Sequence, residues 1–312
     1  MKRLEIGCLV LGIAVLAGAD RIWAEEENTG NENPTRAVCF LPLEGDISSD
    51  LLLGMQERAE QADDLEFSWY YYTDFASMDF EVYADMAIAM QEDYLISFGG
   101  TAEGEYEEAV TRPKDAGVQL IVVDHDMADP ADRTAFVGTD NRAAGAQILE
   151  YVKDAVEEPV AAVFMTYSHG GILERSEAMK ESSEKNEIQL AATVVLPENV
   201  VLARQEIEKL LEKEPQINVV IGLDGTSSIA VAQVMEDRNE DLPYTVCFDC
   251  EDAVVSALKN QKIDLIMMQD YGEMGRACID IAASREESEE GIEVYTKCIP
   301  VTRETIDEVY SG

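Results

Sequence analysis

The sequence predicts an α/β protein made of two doubly wound, Rossmann-like lobes, and three observations support this fold class. Short apolar runs alternate with segments whose apolar residues recur at helical spacing, along most of the 312 residues. The apolar runs are continuous rather than alternating, which is typical of parallel strands covered on both faces. The same strand-then-helix order occurs before and after the stretch FVGTDN at 136–141. We therefore expect one lobe to end and a second to begin at this stretch.

The first lobe is predicted from a series of strand-then-helix units. Apolar residues at helical spacing mark residues 47–62, with Asp46 or Ser48 as the N-cap, and a further helix ends near Pro113. The aromatic run LEFSWYYYT is typical of a strand. In chain order, the predicted strands are 37–43, 65–73, 94–100, 118–124 and 134–139, and the predicted helices are 47–62, 78–90 and 102–111.

The second lobe repeats this order, beginning with a helix at Asn141. The acidic segment EESEEG at 286–291 has no apolar face and is predicted to be a solvated turn. The predicted strands are 160–166, 188–196, 217–224, 244–249, 263–270 and 293–302, and the later helices are 171–183, 200–213, 227–237, 252–260 and 272–284.

The N-terminus predicts an exported protein. Lys2 and Arg3 precede the apolar run at 6–19, which is short for a membrane span and typical of a signal peptide. Residues 1–24 are therefore expected to be a signal peptide cleaved after Ala24 or a retained N-terminal anchor, which would tether the protein to a membrane. Residues 25–35 are polar and rich in breakers, as expected of a linker. The expected location is extracytoplasmic, in the periplasm or on the outer face of the cell membrane.

The net charge argues against nucleic acid and anionic membranes as partners, and the positions of the cysteines argue against disulfides and metal sites. The net charge of −41 argues against binding to nucleic acid or to an anionic membrane surface. Cys39, Cys247, Cys278 and Cys298 lie in apolar runs, where free cysteine behaves as a small buried hydrophobe. Cys247 and Cys250 would point to opposite faces of a strand, a poor start for a disulfide. No disulfide, metal or cofactor is predicted.

Ligands of open α/β sheets bind beyond the carboxyl ends of the strands, and polar side chains are concentrated there in this sequence. Each aspartate at a strand end has two interpretations, as a ligand contact or as the cap of the next helix. Arg175 likewise belongs either in the cleft or in a surface ion pair with Glu174 or Glu177. His125 and His169 are interpreted as loop or ligand-contact residues rather than as metal ligands. No nucleophile–base arrangement emerges, so no enzymatic activity is predicted.

The order of four motifs resembles one known family. IVVDHDMAD is followed by FVGTDNRAAGAQI, then by VIGLDGTSSIAVAQVM, and then by VCFDCEDAVVSALKNQKIDLIMMQDYGEMG. Together they resemble the periplasmic binding proteins of the ribose/galactose type, the sugar-binding family of ABC transporters that also supplies the ligand domain of LacI-like repressors. The resemblance covers about residues 36–305.

The resemblance implies the type I periplasmic binding protein fold, in which a three-segment hinge joins two lobes that close on a small polar ligand. The N-terminal lobe would comprise residues 36–139 plus 271–292, and the C-terminal lobe residues 140–268 plus 293–312. The hinge segments would lie near 138–141, 269–271 and 297–301.

The resemblance also implies a function and a site. The protein would capture a small polar ligand, sugar or sugar-like, and deliver it to the permease of an ABC importer. The alternative is that it presents the ligand to a membrane sensor kinase or chemoreceptor. Ligand contacts are expected at Asp124, Arg175, Asp224, Asp249 and Gln269, with Glu44 and His125 as additional site residues.

The sequence departs from the family pattern in ways that affect the ligand. The segment PLEGDISSD after the first strand lacks the aromatic residue that stacks on a sugar ring, and His125 stands where arginine is frequent. Carboxylates outnumber bases among the expected contacts. This imbalance favours a cationic or unusual polyhydroxyl ligand over an ordinary sugar.

Overall fold

The computed structural model shows two six-stranded sheets with helices on both faces. It describes residues 34–42, 46–72, 80–98, 112–127, 129–168, 170–238, 242–285 and 291–310. The predicted export segment, most of the linker, the predicted helix at 102–111, Glu44 and His169 lie outside the described residues. The strands are β1 Thr35–Pro42, β2 Leu65–Tyr72, β3 Tyr94–Phe98, β4 Gln119–Val123, β5 Ala135–Thr139, β6 Val160–Met165, β7 Gln189–Val195, β8 Val219–Gly222, β9 Tyr244–Phe248, β10 Leu265–Gln269, β11 Ile292–Thr296 and β12 Cys298–Val301.

Except for the last one, the described helices connect successive strands, as expected for doubly wound sheets. They are α1 Asp46–Ala59, α2 Phe80–Met90, α3 Asn141–Ala155, α4 Gly170–Ser183, α5 Val200–Lys213, α6 Gly225–Asp237, α7 Asp252–Lys259, α8 Tyr271–Ser284 and α9 Ile306–Val309. No helix within the described part of the chain is long and apolar enough to span a membrane.

The two sheets have the same strand order. The first runs β11-β5-β4-β3-β1-β2 and the second β12-β10-β9-β8-β6-β7, so β4 corresponds to β9 and β5 to β10. All pairs are parallel except β10 with β12. Because parallel strands in one sheet end at the same edge, the ends of β4 and β9 occupy equivalent positions in the two lobes. This internal symmetry determines which side chains each lobe places at the carboxyl edge of its sheet.

Each sheet has a separate core on each face. In the first lobe, α1 and α8 cover one face and α2 the other. In the second lobe, α5, α6 and α7 cover one face, and α3 and α4 the other. The central strands are buried throughout, which explains their continuously apolar sequences. The edge strand β7 instead alternates between exposed and half-buried residues.

The chain crosses between the two sheets three times. It passes from β5 to α3 at Asp140, from β10 to α8 at Asp270, and from β11 to β12 at Lys297. Asp140 and Asp270 cap the helices that follow them, accepting hydrogen bonds from the backbone N–H groups of Ala143 and Glu273 at 2.9 and 2.8 Å. Two of the three crossings therefore have the same strand–aspartate–helix structure. Two doubly wound lobes joined by three crossings form the type I periplasmic binding protein fold.

The single strand predicted at 293–302 is wrong, because this segment forms two strands. Ile292–Thr296 pairs with β5 in the first sheet, and Cys298–Val301 pairs with β10 in the second. Only Lys297 separates them. No glycine or proline lies next to Lys297, so the sequence carries no local signal of the change of sheet at this residue.

The predicted burial of four cysteines is confirmed. All five cysteines in the described ranges are free thiols, and Cys39, Cys247, Cys278 and Cys298 are buried. Burial raises the pKa of the Cys247 thiol to about 12, so this thiol stays neutral and packs as a hydrophobic side chain.

Candidate ligand-binding site at the hinge

Two aspartates occupy equivalent positions at the carboxyl ends of the sheets. Asp124 follows β4 and Asp249 follows β9, and both adopt left-handed backbone conformations, with φ of 69° and 66°. Their N–H groups donate to the carbonyl oxygens of Val137 and Met267 on the next strand at 2.9 and 3.1 Å. Non-glycine residues in this region cost free energy and are concentrated at functional sites, although aspartate tolerates the conformation better than most. The backbone thus turns both carboxylates out of their strands.

Gln269, the last residue of β10, links the two lobes. Its amide nitrogen donates to Asp249 Oδ1 and to the hydroxyl oxygen of Tyr271, both at 2.9 Å. Its carbonyl oxygen accepts from Thr139 Oγ1 at 2.7 Å and from Arg175 Nη2 at 3.2 Å. Thr139 ends β5 in the first sheet, so this one side chain bonds to groups from both lobes across the hinge.

Tyr271 extends the network to the first lobe. Its hydroxyl lies 3.4 Å from Asp124 Oδ1 while it accepts from Gln269. The side chain is buried, and burial together with the neighbouring carboxylates raises the pKa of Tyr271 well above its ordinary value. Tyr271 therefore remains a neutral donor that holds Asp124 in place.

Arg175 is buried rather than paired on the surface, so the alternative of an ion pair with Glu174 or Glu177 is wrong. The residue is 5% exposed. Its Nε donates to Asn141 Oδ1 and its Nη1 to the carbonyl oxygen of Leu223, both at 2.7 Å. The guanidinium carbon lies 3.6 Å from the ring centroid of Phe248, a cation–π contact. The arginine is thus held rigidly at the centre of the second lobe's carboxyl edge.

Two glycines allow the close packing that positions Arg175. A β-carbon on Gly145 of α3 would lie closer than 3.0 Å to the backbone of Arg175 on α4. A β-carbon on Gly171 would collide in the same way with the side chain of Asn141. The helices α3 and α4 therefore approach each other closely at the level of the site, and Asn141 reaches the guanidinium.

Asp124 and His125 form an ion pair at the rim of the site. Nδ1 of His125 donates to Asp124 Oδ2 at 2.6 Å, and the histidine side chain is 46% exposed. The Asp124 charge raises the pKa of His125 above its ordinary value, against the effect of burial. Burial raises the pKa of Asp124, but His125 and Arg175 outweigh it and leave that pKa below its ordinary value. Asp124 is therefore ionised at neutral pH.

Asp249 differs from Asp124 because no histidine among the described residues donates a hydrogen bond to it. Burial raises its pKa to about 6, opposed by Arg175 and by the hydrogen bond from Gln269. Its Oδ1 accepts from Gln269, while Oδ2 receives no hydrogen bond from any described residue. At neutral pH this carboxylate is mostly ionised and has a free acceptor oxygen. A cation or hydroxyl group placed there would satisfy it.

Asp224 has a different environment from the other two aspartates. Its carboxylate accepts from the Ser227 N–H at 2.9 Å and so caps α6. It also accepts from the N–H and the hydroxyl of Thr166, at 2.6 and 2.7 Å. Three donors therefore occupy this carboxylate, which is 6% exposed. Capping explains the contact with Ser227, and the two hydrogen bonds from Thr166 connect the start of α6 to the end of β6. Ligand contact at Asp224 stays a prediction.

The structure brings together four of the seven predicted site residues, namely Asp124, Arg175, Asp249 and Gln269, and places His125 beside the first. Asp224 caps α6 between Leu223, whose carbonyl oxygen accepts from Arg175, and Gly225, where a β-carbon would lie 4.0 Å from Asp249 Oδ2. Glu44 lies outside the described residues. Sequence analysis missed the partners Thr139, Asn141 and Tyr271. Their position could have indicated them, since each lies within a predicted hinge segment. Within the described ranges, no group of three or more His, Cys, Asp or Glu side chains is arranged to hold a metal ion.

A sequence profile of the family described as "Periplasmic binding protein domain" matches residues 49–290, most of the chain. The chain belongs to this family. Members of the family are binding proteins, and the doubly wound lobes with three crossings agree with this membership. Comparison with functionally curated proteins by sequence gives no match.

Solved structures of the same fold include an arabinose-binding protein and a solute-binding protein with bound myo-inositol. The arabinose-binding protein AraP of Geobacillus stearothermophilus has 17% identity over 89% of this chain and 99% of its own, with a TM-score of 0.78. A solute-binding protein of Bacillus halodurans C-125 with bound myo-inositol has 18% identity over 91% and 99%, with a TM-score of 0.71. A chain of the XylFII–LytSN complex has 20% identity over 87% and 98%, with a TM-score of 0.66. At these identities the likeness shows the shared fold.

Proposed function

We propose that the protein is an extracytoplasmic solute-binding protein that captures a small polar ligand, sugar or sugar-like, between two lobes and delivers it to the permease of an ABC importer. The observation that carries the proposal is the hydrogen-bonded network at the hinge. Asp124 of the first lobe and Asp249 of the second both connect to Gln269, directly or through Tyr271. A ligand bound to both aspartates would contact both lobes at once.

The lobe boundaries are part of this proposal. The first lobe takes residues 36–139 and 271–292, and the second takes 140–268 together with the end of the chain. The pairing of β11 with β5 favours adding residues 293–296 to the first lobe. The export segment at 1–24 and the linker at 25–35 would place both lobes outside the cytoplasm.

The mechanism is binding with hinge closure and without catalysis. A ligand that contacts Asp124 and Asp249 together stabilises the closed arrangement, because it binds that arrangement more tightly than the open one. Carboxylates accept hydrogen bonds from hydroxyl pairs, and the amide of Gln269 can both donate and accept. Each such contact discriminates among ligands, since a buried polar group left unpaired costs roughly 1–3 kcal/mol.

A second candidate function is ligand presentation to a membrane sensor kinase or chemoreceptor. The similarity to a chain of the XylFII–LytSN complex favours it, since that relative is part of a two-protein assembly. The same closed form would serve both functions. Genes for a permease and an ATPase beside this one would favour import, and a gene for a sensor kinase would favour signalling.

A thermal-shift screen tests the proposed function. Sugars, polyols, amines and nucleosides are added to the protein, and the unfolding midpoint is measured for each. A true ligand at 100 times its dissociation constant should stabilise the native state by about 2.7 kcal/mol. The Asp124→Ala and Asp249→Ala variants should each lose most of this stabilisation. If no compound raises the midpoint, or if both variants respond as the parent does, the hinge network is not the binding site.

A further inference from the structure

Tyr167 is an aromatic residue that stays exposed at the carboxyl edge of the second sheet. It follows Met165, the last residue of β6, and Thr166. Both of these residues are buried, whereas Tyr167 is 38% exposed. Ligands of open α/β sheets bind at this edge, and the ring of a tyrosine is a large apolar surface. A ligand bound at this edge can therefore lie against the ring.

The register of the second sheet places Tyr167 close to Asp249 of the candidate site. The strands β6, β8 and β9 are neighbours, and their pairing puts Thr166, Asp224 and Asp249 at the same level. The hydrogen bonds from Thr166 to the Asp224 carboxylate, at 2.6 and 2.7 Å, agree with this alignment. Tyr167 lies one residue beyond this row and two strands from Asp249, which is about 10 Å across a sheet. Because both side chains extend from the backbone, one small ligand can contact both.

The surroundings of the Tyr167 side chain place it over the middle of the edge. Partial burial, together with the charges of Glu198 and Asp224, raises the pKa of Tyr167 above its ordinary value. Glu198 follows β7 and Asp224 follows β8, the strands on either side of β6. The side chain therefore lies between the segments that follow these two strands, and its hydroxyl group is protonated at neutral pH.

We propose that the ring of Tyr167 packs against the C–H face of a cyclic ligand, so that the site prefers a ring-shaped polyol, a pyranose sugar or a cyclitol, to an open-chain polyol. This inference rests on the proposed function and names a specificity-determining residue of the same site. The packing uses the face of the aromatic ring, so hydrogen bonds made by the Tyr167 hydroxyl group do not affect it.

The chemistry of cyclic polyols suits this arrangement. In such a ring the C–H groups gather on the faces, and the hydroxyl groups point outward around the rim. The electron-rich face of an aromatic ring attracts C–H groups, while the hydroxyl groups at the rim can donate to the Asp249 carboxylate. An open chain has no fixed face, and ordering it on the protein costs conformational entropy. The ring compound should therefore bind more tightly than an open chain with the same hydroxyl groups.

Matched pairs of ligands test the inference by titration calorimetry. D-glucose and D-galactose are compared with sorbitol and galactitol, their open-chain reduction products, and myo-inositol serves as the cyclitol. We expect the parent to bind the ring compounds more tightly. Tyr167→Ala and Tyr167→Leu should each weaken that binding by roughly 10-fold, the order expected for an aromatic contact, and affect the open-chain compounds less. Tyr167→Phe should restore most of the lost affinity, because it returns the ring without the hydroxyl group.

The controls separate the possible outcomes. Tyr71→Ala removes another exposed tyrosine, on the edge strand β2 and three strands from β4, and should keep the affinity of the parent. Circular dichroism checks that each variant folds. Ring compounds that bind Tyr167→Ala and Tyr167→Leu as tightly as the parent would overturn the inference and leave the proposed function standing. An equal loss of affinity in Tyr167→Phe and Tyr167→Ala would do the same, because the hydroxyl group would then be responsible. If no compound binds to the parent, the proposed function fails together with the inference.

Discussion

Replacing Arg175 by methionine should destabilise the protein by about 3 kcal/mol, because two buried acceptors would each lose a donor at roughly 1–3 kcal/mol apiece. Those acceptors are Asn141 Oδ1 and the carbonyl oxygen of Leu223. Methionine keeps most of the apolar stem over the ring of Phe248. The loss of stability would therefore come mainly from the missing polar contacts. The variant would also remove the positive charge of Arg175, which opposes the rise in the pKa of Asp249 that burial causes.

Chemical denaturation monitored by circular dichroism measures this change. The matched control is Arg142→Met on α3, because Arg142 is half-exposed and pairs with Glu181 at the surface. Exposed pairs contribute about 0–1 kcal/mol, so the control should unfold near the parent. Equal stability of the two variants would mean that Arg175 does not organise the second lobe's carboxyl edge.

Replacing Gly275 by alanine should be of comparable severity, costing about 1–3 kcal/mol through overpacking. A β-carbon at this position would lie closer than 3.0 Å to the carbonyl oxygen of Leu51 on α1. Gly54 of α1 is in the same situation against the backbone of Gly272. Because the obstructing atoms belong to the backbone, α1 and α8 would have to separate, and the core on that face of the first sheet would open.

Gly272→Ala is the control for this substitution. A β-carbon there would meet the end of the Arg276 side chain at 3.5 Å, and that flexible group can move away. Alanine is also preferred over glycine in helices by roughly 1 kcal/mol, so the control should match or exceed the parent in stability. A thermal melt of the two variants compares them directly. Similar midpoints for Gly275→Ala and the parent would show that α1 and α8 are less closely packed than the distances at Gly275 indicate.

The sequence determined most of the fold in advance, because continuous apolar strands and helical spacing are local signals. The local pattern of EVYTKCIPVT did not predict the break at Lys297, since one polar residue is enough for a change of sheet. The three crossings were expected only from the resemblance to a known family. Periodicity alone does not say which strands share a sheet.

Part of the site could also be predicted, because some of its residues follow directly from local sequence signals. Asp124 and Asp249 were expected because both end apolar strands, and the topology places both at carboxyl edges. The burial of Arg175 depends on Asn141 and Leu223, which are 34 and 48 residues away in sequence. Tyr271 depends on Asp124, 147 residues away. Such long-range contacts leave no mark on the neighbouring sequence, so these roles required the structure.

Closure of the two lobes on a ligand would make the protein more compact, and small-angle X-ray scattering measures this change. The radius of gyration of the protein is measured alone and with a saturating concentration of a compound that raises the unfolding midpoint. We expect a smaller radius with the compound and no change in the Asp249→Ala variant. A compound that stabilises the protein but leaves the radius unchanged would contradict binding between the lobes.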